Sequence, residues 1–236
     1  MPEYTLSNGE KTVIFQAMSH IWSEQFYTDI QKNITQAKQD DFVYFYEWVR
    51  PGSVENTQLF NQALWVELDG ELYKNLSQLY GVTNQDNAIF LWLVNDQDYN
   101  VDLSLDDIME RYNAVSQPEL SQVQPLDMNS EILEILNELS ENQLSVLRYI
   151  NQSLLNFMIK SEGIQEFMSD MFSNQELFAI ILDDRNELLA DAIIESEYSK
   201  IYTTYGLLHF KWVLKLLQQH DPKWNIISQQ NLYPIK

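Results

Sequence analysis

The sequence predicts an α/β fold in which a central mixed or parallel sheet is built from two βαβ-like pseudo-repeats. Segments rich in β-branched and aromatic residues alternate with segments whose apolar residues recur every three to four positions. The same order of strand, tight turn with histidine, helix and strand occurs near both ends of the chain. We therefore expect a single domain over residues 1–236, with a helical insertion at about 103–196.

The first pseudo-repeat spans residues 12–49. Thr12–Met18 is rich in β-branched and aromatic residues, which favour a strand. From Glu24 onward, apolar residues recur at three- and four-residue spacing, as in an amphipathic helix. Phe42–Val49 is apolar or aromatic at nearly every position, as in a strand that is buried on both faces. A strand, a helix and a strand in this order predict a parallel pair with a right-handed crossover.

The middle of the chain is predicted to be mainly helical. Helices are expected over residues 56–80 (with a break near Asp69-Gly70), 105–115, 130–140, 141–160 and most of 162–196. Within the last of these segments, Leu177–Leu182 is equally compatible with a short strand. Ala88–Val94 predicts a further core strand, because apolar residues fill it without interruption. Ser116–Asp127 contains two prolines and predicts a loop.

The second pseudo-repeat lies near the end of the chain. Lys200–Tyr205 predicts a strand, and the turn Gly206–His209 follows it. Apolar residues at helical spacing between Trp212 and Leu217 predict a helix, and Trp224–Ile227 predicts a final strand. The two ends of the chain therefore share a pattern, with little identity of residues.

The charge of the chain limits its partners. Lys and Arg total 14 and Asp and Glu total 35, which gives a net charge of −21. Such a charge repels a phosphate backbone and an anionic membrane, so we expect no nucleic-acid partner. No apolar run approaches the roughly 18 residues of a membrane span, and no secretory signal is visible, so we expect a cytoplasmic protein without a membrane span. Because cysteine is absent, disulfides, thiolate metal sites and a cysteine nucleophile are excluded.

Three candidate functional residues follow or close predicted strands. His20 comes after the first strand, Glu47 lies near the end of the second, and His209 follows the late strand. In an open α/β sheet, ligands bind outside the carboxyl ends of the strands. Two histidines and one carboxylate are sufficient protein ligands for a catalytic divalent metal with an open position for water. Glu47 also interrupts an apolar run, where an unpaired charge is costly; pairing with Arg50 is the alternative explanation.

Four short motifs, in this order, carry a resemblance to a known family. They are Ala17-Met-Ser-His20, Tyr46-Glu-Trp-Val-Arg-Pro51, Arg185-Asn-Glu-Leu-Leu-Ala190 and Gly206-Leu-Leu-His209. The chain resembles the TraB/PrgY, GumN and Tiki family, which has two Gly-x-x-His motifs, a strand-end glutamate and an Arg-Asn element before the second Gly-x-x-His. The stretch from Gly81-Val-Thr-Asn-Gln85 to Asn100-Val-Asp-Leu-Ser104 also resembles the family's middle segment. The likeness extends over residues 11–228.

The resemblance implies two pseudo-repeats that each give a histidine to one central site. Tiki members are divalent-metal-dependent proteases that cut a partner near its N-terminus, and TraB/PrgY members shut down peptide pheromone activity. The related ChaN and erythromycin-esterase groups hold haem or hydrolyse esters. Carried over to this chain, the resemblance makes His20, Glu47 and His209 the metal ligands or catalytic set, with Arg185 and Asn186 as a supporting pair.

These observations predict a metal-dependent hydrolase, most simply a peptidase that acts on peptides or protein termini with Mn²⁺, Co²⁺ or Zn²⁺. Glu47 is expected to be a ligand or the general base, and Arg185 to stabilise an oxyanion or hold Glu47. Ala17 stands where the family has glycine, which favours an alternative: a degraded member that binds a peptide or haem. A further alternative is a scaffold whose acidic helical middle binds a partner protein.

Overall fold

A six-stranded mixed sheet forms the centre of the protein. The structure is a computed structural model that describes residues 1–67, 69–116, 125–160 and 174–231. The strands are β1 (Pro2–Ser7), β2 (Thr12–Met18), β3 (Ile21–Trp22), β4 (Val43–Tyr46), β5 (Thr83–Asn84), β6 (Tyr99–Asn100), β7 (Lys200–Gly206) and β8 (Asn225–Asn231). The sheet order is β6-β4-β7-β2-β1-β8, while β3 and β5 form a separate antiparallel pair. The predicted α/β fold class is therefore confirmed.

Five of the six strands in the main sheet run in the same direction. β7 pairs in parallel with both β2 and β4, and β4 pairs in parallel with β6. β1 is antiparallel to β2 and to β8, so β8 has the direction of β2 and β1 alone is reversed. The strands that precede His20, Glu47 and His209 are consequently three parallel neighbours, β2, β4 and β7.

Helices cover the sheet and form the middle of the chain. They are α1 (Glu24–Gln39), α2 (Val54–Leu64), α3 (Gly70–Tyr80), α4 (Asn87–Leu91), α5 (Leu105–Ser116), α6 (Met128–Glu138), α7 (Glu141–Lys160), α8 (Gln175–Ala179), α9 (Arg185–Glu195) and α10 (Phe210–His220). The break predicted near Asp69-Gly70 is confirmed, because the Asp69 side chain accepts the Leu72 amide and caps α3. Part of the predicted loop Ser116–Asp127 and the first part of the predicted helical segment 162–196 lie outside the described residues.

The two crossovers place helices on opposite faces of the sheet. The β2–α1–β4 connection passes over β7, and the β7–α10–β8 connection passes the other way over β2 and β1. Right-handed crossovers in opposite directions leave their helices on opposite faces. Successive residues of a strand point to opposite faces of the sheet, and Tyr44 and Phe45 of β4 show this. Tyr44 shares a core cluster with Ile30 of α1, whereas Phe45 shares a different cluster with Val213 of α10.

The prediction of a strand at Ala88–Val94 is wrong. These residues form α4 and the turn after it, and the Asp86 side chain caps the helix by accepting the Ala88 amide. Only one side of the segment is buried: Phe90 is 7% exposed, whereas Trp92 is 87% exposed. A short apolar run does not distinguish a strand from a helix, and here the Asp86 cap favours the helix.

The other expectations for strands need smaller corrections. β4 is shorter than the predicted Phe42–Val49, so Glu47 follows the strand instead of lying within it. The final strand begins at Asn225 rather than Trp224, and β1 was not predicted at all. Leu177–Leu182 is helical, spanning the end of α8 and a π-helical turn. Among the described helices, none combines the length and apolar character that a membrane span requires.

Matched isoleucine substitutions test the position of the core. Ile193 of α9 is fully buried, whereas Ile227 of β8 is 62% exposed. We expect Ile193→Ala to lower the free energy of unfolding by about 2–5 kcal/mol, since it removes packed methyl groups and leaves a cavity. Ile227→Ala should change it by less than about 0.5 kcal/mol. Urea unfolding measures both free-energy changes. Equal losses of stability in the two variants would contradict the assignment of Ile193 to the core.

Candidate functional site

The candidate site lies at the carboxyl ends of β2, β4 and β7. In the register of the sheet, Met18 is opposite Gly206, and Tyr46 is opposite Thr204. The connections from β2 and β7 diverge to opposite faces at this edge, which creates a crevice at the topological switch point. The predicted residues His20, Glu47 and His209 therefore all lie at one edge of the sheet.

Glu47 is the group around which the site is organised. Its backbone N–H donates to the Thr204 carbonyl at 3.1 Å, which continues the β4–β7 pairing for one residue. Its Oε2 accepts the Gly206 N–H at 2.5 Å, and its Oε1 accepts Arg185 Nη2. Burial opposes ionisation, but the Arg185 guanidinium and the hydrogen bond from the Gly206 N–H lower the pKa of Glu47 below its usual value. Glu47 is therefore an anion with both oxygens engaged.

Arg185 joins two carboxylates in the interior. Its Nε donates to Asp102 Oδ1 at 2.7 Å and its Nη2 to Asp102 Oδ2 at 3.0 Å, while Nη2 also reaches Glu47. The residue is only 5% exposed. Arg185 begins α9 directly after the π-helical turn Ile180–Asp184, a distortion that is frequent at functional sites. Burial and the nearby Glu47 raise the pKa of Asp102 to about 6, although Arg185 opposes this shift.

His209 is a buried, neutral imidazole with one nitrogen held in place. Its Nδ1 lies 2.8 Å from Asn186 Oδ1, so Nδ1–H donates to the amide and Nε2 keeps its lone pair. Nε2 lies 3.9 Å from Glu47 Oε1. Burial lowers the pKa of His209 to about 3, far enough that the ring carries no charge at neutral pH. The ring of Tyr205 packs against it edge-on, with centroids 4.8 Å apart.

His20 occupies the rim of the crevice. Its carbonyl accepts the Gln85 amide at 2.7 Å, and its ring lies against Tyr73 with centroids 4.5 Å apart. The residue is exposed to solvent. The protein that surrounds it in the crevice nevertheless displaces water from the ring and so lowers the pKa of His20. The charges of Glu47 and Arg185 both act on it. His20 therefore belongs electrostatically to the same site.

The structure brings four of the five predicted site residues into direct contact: Glu47 with Arg185, Asn186 with His209, and His209 near Glu47. His20 follows β2 at the same edge of the sheet, but the contacts it makes are with Gln85 and Tyr73. Within residues 1–67, 69–116, 125–160 and 174–231, no group of three or more His, Asp or Glu side chains is arranged to hold a metal ion. The alternative pairing of Glu47 with Arg50 is not observed, because Arg50 lies 3.6 Å from Asp107 and Arg185 takes its place at Glu47.

Asp102 and Tyr205 belong to the site but are not candidates that the sequence pattern singles out. Tyr205 donates to the Val101 carbonyl at 3.0 Å, and its ring faces the Arg185 guanidinium at 5.6 Å. A signal for Asp102 was present, because a charged residue between Val101 and Leu103 is as unusual as Glu47 in its apolar run. The family resemblance includes Asp102 without giving it a role.

The two Ala/Gly-x-x-His motifs are not equivalent in the structure. A Cβ atom on Gly206 would lie 3.3 Å from His209 Cδ2 and 3.4 Å from Glu47 Oε2, so a larger residue would disturb the site. Ala17 lies inside β2, pairs with Tyr205 rather than Gly206, and is fully buried in the core. A backbone with positive φ is therefore not required at Ala17, since this position is an ordinary strand residue.

The pH dependence of stability tests the state of His209. In the unfolded chain its pKa is near 6.5, and in the folded protein it is about 3, so only the unfolded state binds the proton between these values. Stability should therefore fall as the pH drops from 6.5 towards 3, by at most about 1.4 kcal/mol per pH unit from this group. The measurement is urea unfolding at a series of pH values.

The control for this experiment uses the exposed residue His220. The difference in stability between the wild type and His209→Gln should change across this pH range, while His220→Gln should follow the wild type. Asp102 has the opposite effect, because its raised pKa makes stability increase as the pH falls through about 6. All three proteins contain Asp102, so its contribution largely cancels when their stabilities are subtracted. Parallel curves for the wild type and His209→Gln would show that His209 is not buried in a neutral form.

Comparisons with known proteins identify no relative for this chain. Its sequence matches no family model, and neither a curated protein nor a solved structure is significantly similar to it. The resemblance to the TraB/PrgY, GumN and Tiki family therefore stays a prediction from the four motifs.

Proposed function

We propose that the chain is a metal-dependent hydrolase that acts on peptides or protein termini, with His20, Glu47 and His209 around its reaction centre. One observation carries the proposal. An ionised carboxylate and an uncharged imidazole with a free Nε2 face each other at 3.9 Å, at the edge of the sheet where α/β proteins bind ligands.

The donor types at the site suit a divalent ion, but the described structure does not draw His20, Glu47 and His209 together around one point, so binding would require these side chains to move. His20 and His209 both have lowered pKa values, so they can bind a metal without first losing a proton. Asn186 holds Nδ1 of His209, which is the usual way to orient a metal-binding imidazole. A bound Mn²⁺, Co²⁺ or Zn²⁺ would lower the pKa of a water and polarise a carbonyl. Its ligands would be His20 and His209, with Glu47 either as a third ligand or as the general base.

The surrounding side chains suit the charge changes of amide or ester hydrolysis. Glu47 is ionised and can accept a proton from the attacking water. The Arg185 guanidinium is fixed by Asp102 and can stabilise negative charge that develops on the substrate oxygen. Asn186 Nδ2 is a buried donor with no acceptor in the described part of the chain, so it is free to donate to a substrate oxygen.

A second candidate function is a binding module for a peptide or haem, or an interaction scaffold, that has lost catalysis. The observation that favours it is the engagement of Glu47, since Arg185 and the Gly206 amide already occupy both of its oxygens. In this alternative the Arg185 bridge is structural, and the crevice recognises a ligand without reacting with it.

A metal titration tests the first proposal. Added Mn²⁺, Co²⁺ or Zn²⁺ should raise the melting temperature by about 5 °C or more at 100 times Kd, because a ligand of the folded state stabilises it by mass action. The double variant His20→Ala/His209→Ala should abolish the shift, whereas His220→Ala should retain it. An unchanged melting curve with all three ions would exclude the metal site.

Peptide cleavage separates the hydrolase from the binding module. With the activating ion present, Glu47→Gln should lower the rate of hydrolysis of a labelled peptide mixture by about 100-fold or more, because the amide cannot accept the proton. Mass spectrometry of the products measures the rate. If the wild type binds these peptides without cleaving them, the binding module is the correct function.

A further inference from the structure

The longest described helix, α7, exposes an apolar face to solvent. Five of its large apolar side chains are between 51% and 74% exposed: Val146, Tyr149, Ile150, Leu154 and Phe157. Monomeric proteins rarely expose contiguous apolar patches of more than a few hundred Å², and larger ones mark interaction sites. We call these five residues, together with Ser153 between them, the outer stripe of α7.

The opposite side of α7 packs on the rest of the protein. Arg148 Nε donates to the Gln78 carbonyl at 3.0 Å, and Gln152 Nε2 donates to the Gly81 carbonyl at 3.0 Å, both at the end of α3. Leu155 packs against the core on the α1 side of the sheet. With 3.6 residues per turn, these contacts lie on the side of the helix away from the outer stripe. Helices with apolar residues on both sides are normally buried on both, so the outer stripe requires a partner.

The charge around the outer stripe limits what that partner can be. Residues 142–157 contain no acidic residue, and their one cation, Arg148, is turned towards α3. A basic partner would therefore find no carboxylate on the stripe, and an anionic membrane repels a chain of net charge −21. The stripe selects an uncharged apolar surface. A second copy of α7 is such a surface, and two copies of this acidic chain repel each other least where neither carries charge.

The spacing of the outer stripe is self-complementary in an antiparallel pair of helices. Val146, Ile150, Ser153 and Phe157 follow one another at intervals of four, three and four residues, as in a coiled-coil seam. When the two helices cross between residues 151 and 152, Val146 lies opposite Phe157 of the second copy and Ile150 opposite Ser153. A two-fold axis repeats each contact.

The side chains of this seam also match in size and polarity. Each layer joins a larger side chain to a smaller one, which fills the space between the helices evenly. A parallel pair would instead place Phe157 on Phe157 and Ser153 on Ser153. The Ser153 hydroxyl donates to the Tyr149 carbonyl of its own helix at 2.7 Å, so the hydroxyl keeps a partner when the seam is buried.

We propose that α7 is a homodimer interface in which the outer stripes of two copies pack antiparallel about a two-fold axis. Tyr149 and Leu154 flank the seam. Five side chains of this size and exposure offer on the order of 500 Å² per copy, so a dimer buries about 1,000 Å², the size at which specific interfaces begin. The inference is independent of the proposed function, since the stripe contains none of the candidate site residues.

Sedimentation velocity over a range of micromolar concentrations tests the dimer. The wild type should approach twice the 27.9 kDa mass of the chain as its concentration rises. Ile150→Glu places two carboxylates in the apolar seam and should weaken dimerisation by about 100-fold or more. Ile227→Glu is the matched control, because Ile227 is 62% exposed on β8 and should leave dimerisation unchanged. A wild type that stays monomeric, or equal weakening by both variants, would overturn the proposal.

Disulfide formation tests the antiparallel arrangement. The chain has no cysteine, so introduced cysteines have no competitor. A mixture of Val146→Cys and Phe157→Cys proteins should form a disulfide between the two variants. Neither variant should link to itself, because two copies of either residue lie about 16 Å apart along the helices, beyond the roughly 7 Å that a disulfide spans between Cα atoms. Self-linking of each variant would show parallel pairing and refute the seam. Both positions are exposed, so neither substitution removes a core contact.

Urea unfolding of the dilute, monomeric protein distinguishes a second copy from a segment of the same chain. If a second copy covers the outer stripe, Ile150→Glu should leave the urea midpoint of the monomer unchanged. A lower midpoint for the monomeric variant would show that the same chain covers the stripe, and would overturn the dimer interface.

Discussion

The buried guanidinium of Arg185 is the constraint on which the site depends. It pairs with two carboxylates that come from different strand ends, Glu47 after β4 and Asp102 after β6. Removing one partner of a buried ion pair leaves an uncompensated charge and costs about 3–5 kcal/mol. Arg185 therefore fixes the first residue of α9 against the edge of the sheet, and Asn186, the next residue, is held where it can orient His209.

The same contact explains the local shape of the crevice. Glu47 turns towards β7 and accepts the Gly206 amide, while a side chain on Gly206 would press on the His209 ring, since its Cβ would lie 3.3 Å from His209 Cδ2. Tyr205 fills the opposite side of the Arg185–His209 cluster and packs against both. The charge of Glu47 also acts on the exposed His20, so the buried polar network reaches the open edge of the sheet through a single carboxylate.

Much of this arrangement was predictable from the sequence, because β-branched strand segments and helical spacing are local signals. They located β2, β4 and β7, and hence placed His20, Glu47 and His209 at one edge. Ala88–Val94 was misassigned because a run of seven apolar residues satisfies either period, and β1 has too few apolar residues to be conspicuous. Tyr205 has no local signal, because its role depends on a contact with a residue distant in sequence. Asp102 has one, a charge within an apolar segment, but that signal does not identify its partner Arg185.

The position of β7 has a consequence for the order of assembly. β2 and β4 are neighbours in sequence but not in the sheet, since β7, at residues 200–206, separates them. During synthesis on the ribosome, both strands emerge long before the strand that joins them, and the edges that pair with β7 stay unpaired until residues 200–206 have been made. Pairing of this kind closes a long loop and is slow, and open strand edges promote aggregation. β7 is thus the last of the three strands that carry the site to be synthesised, and the site cannot form before it.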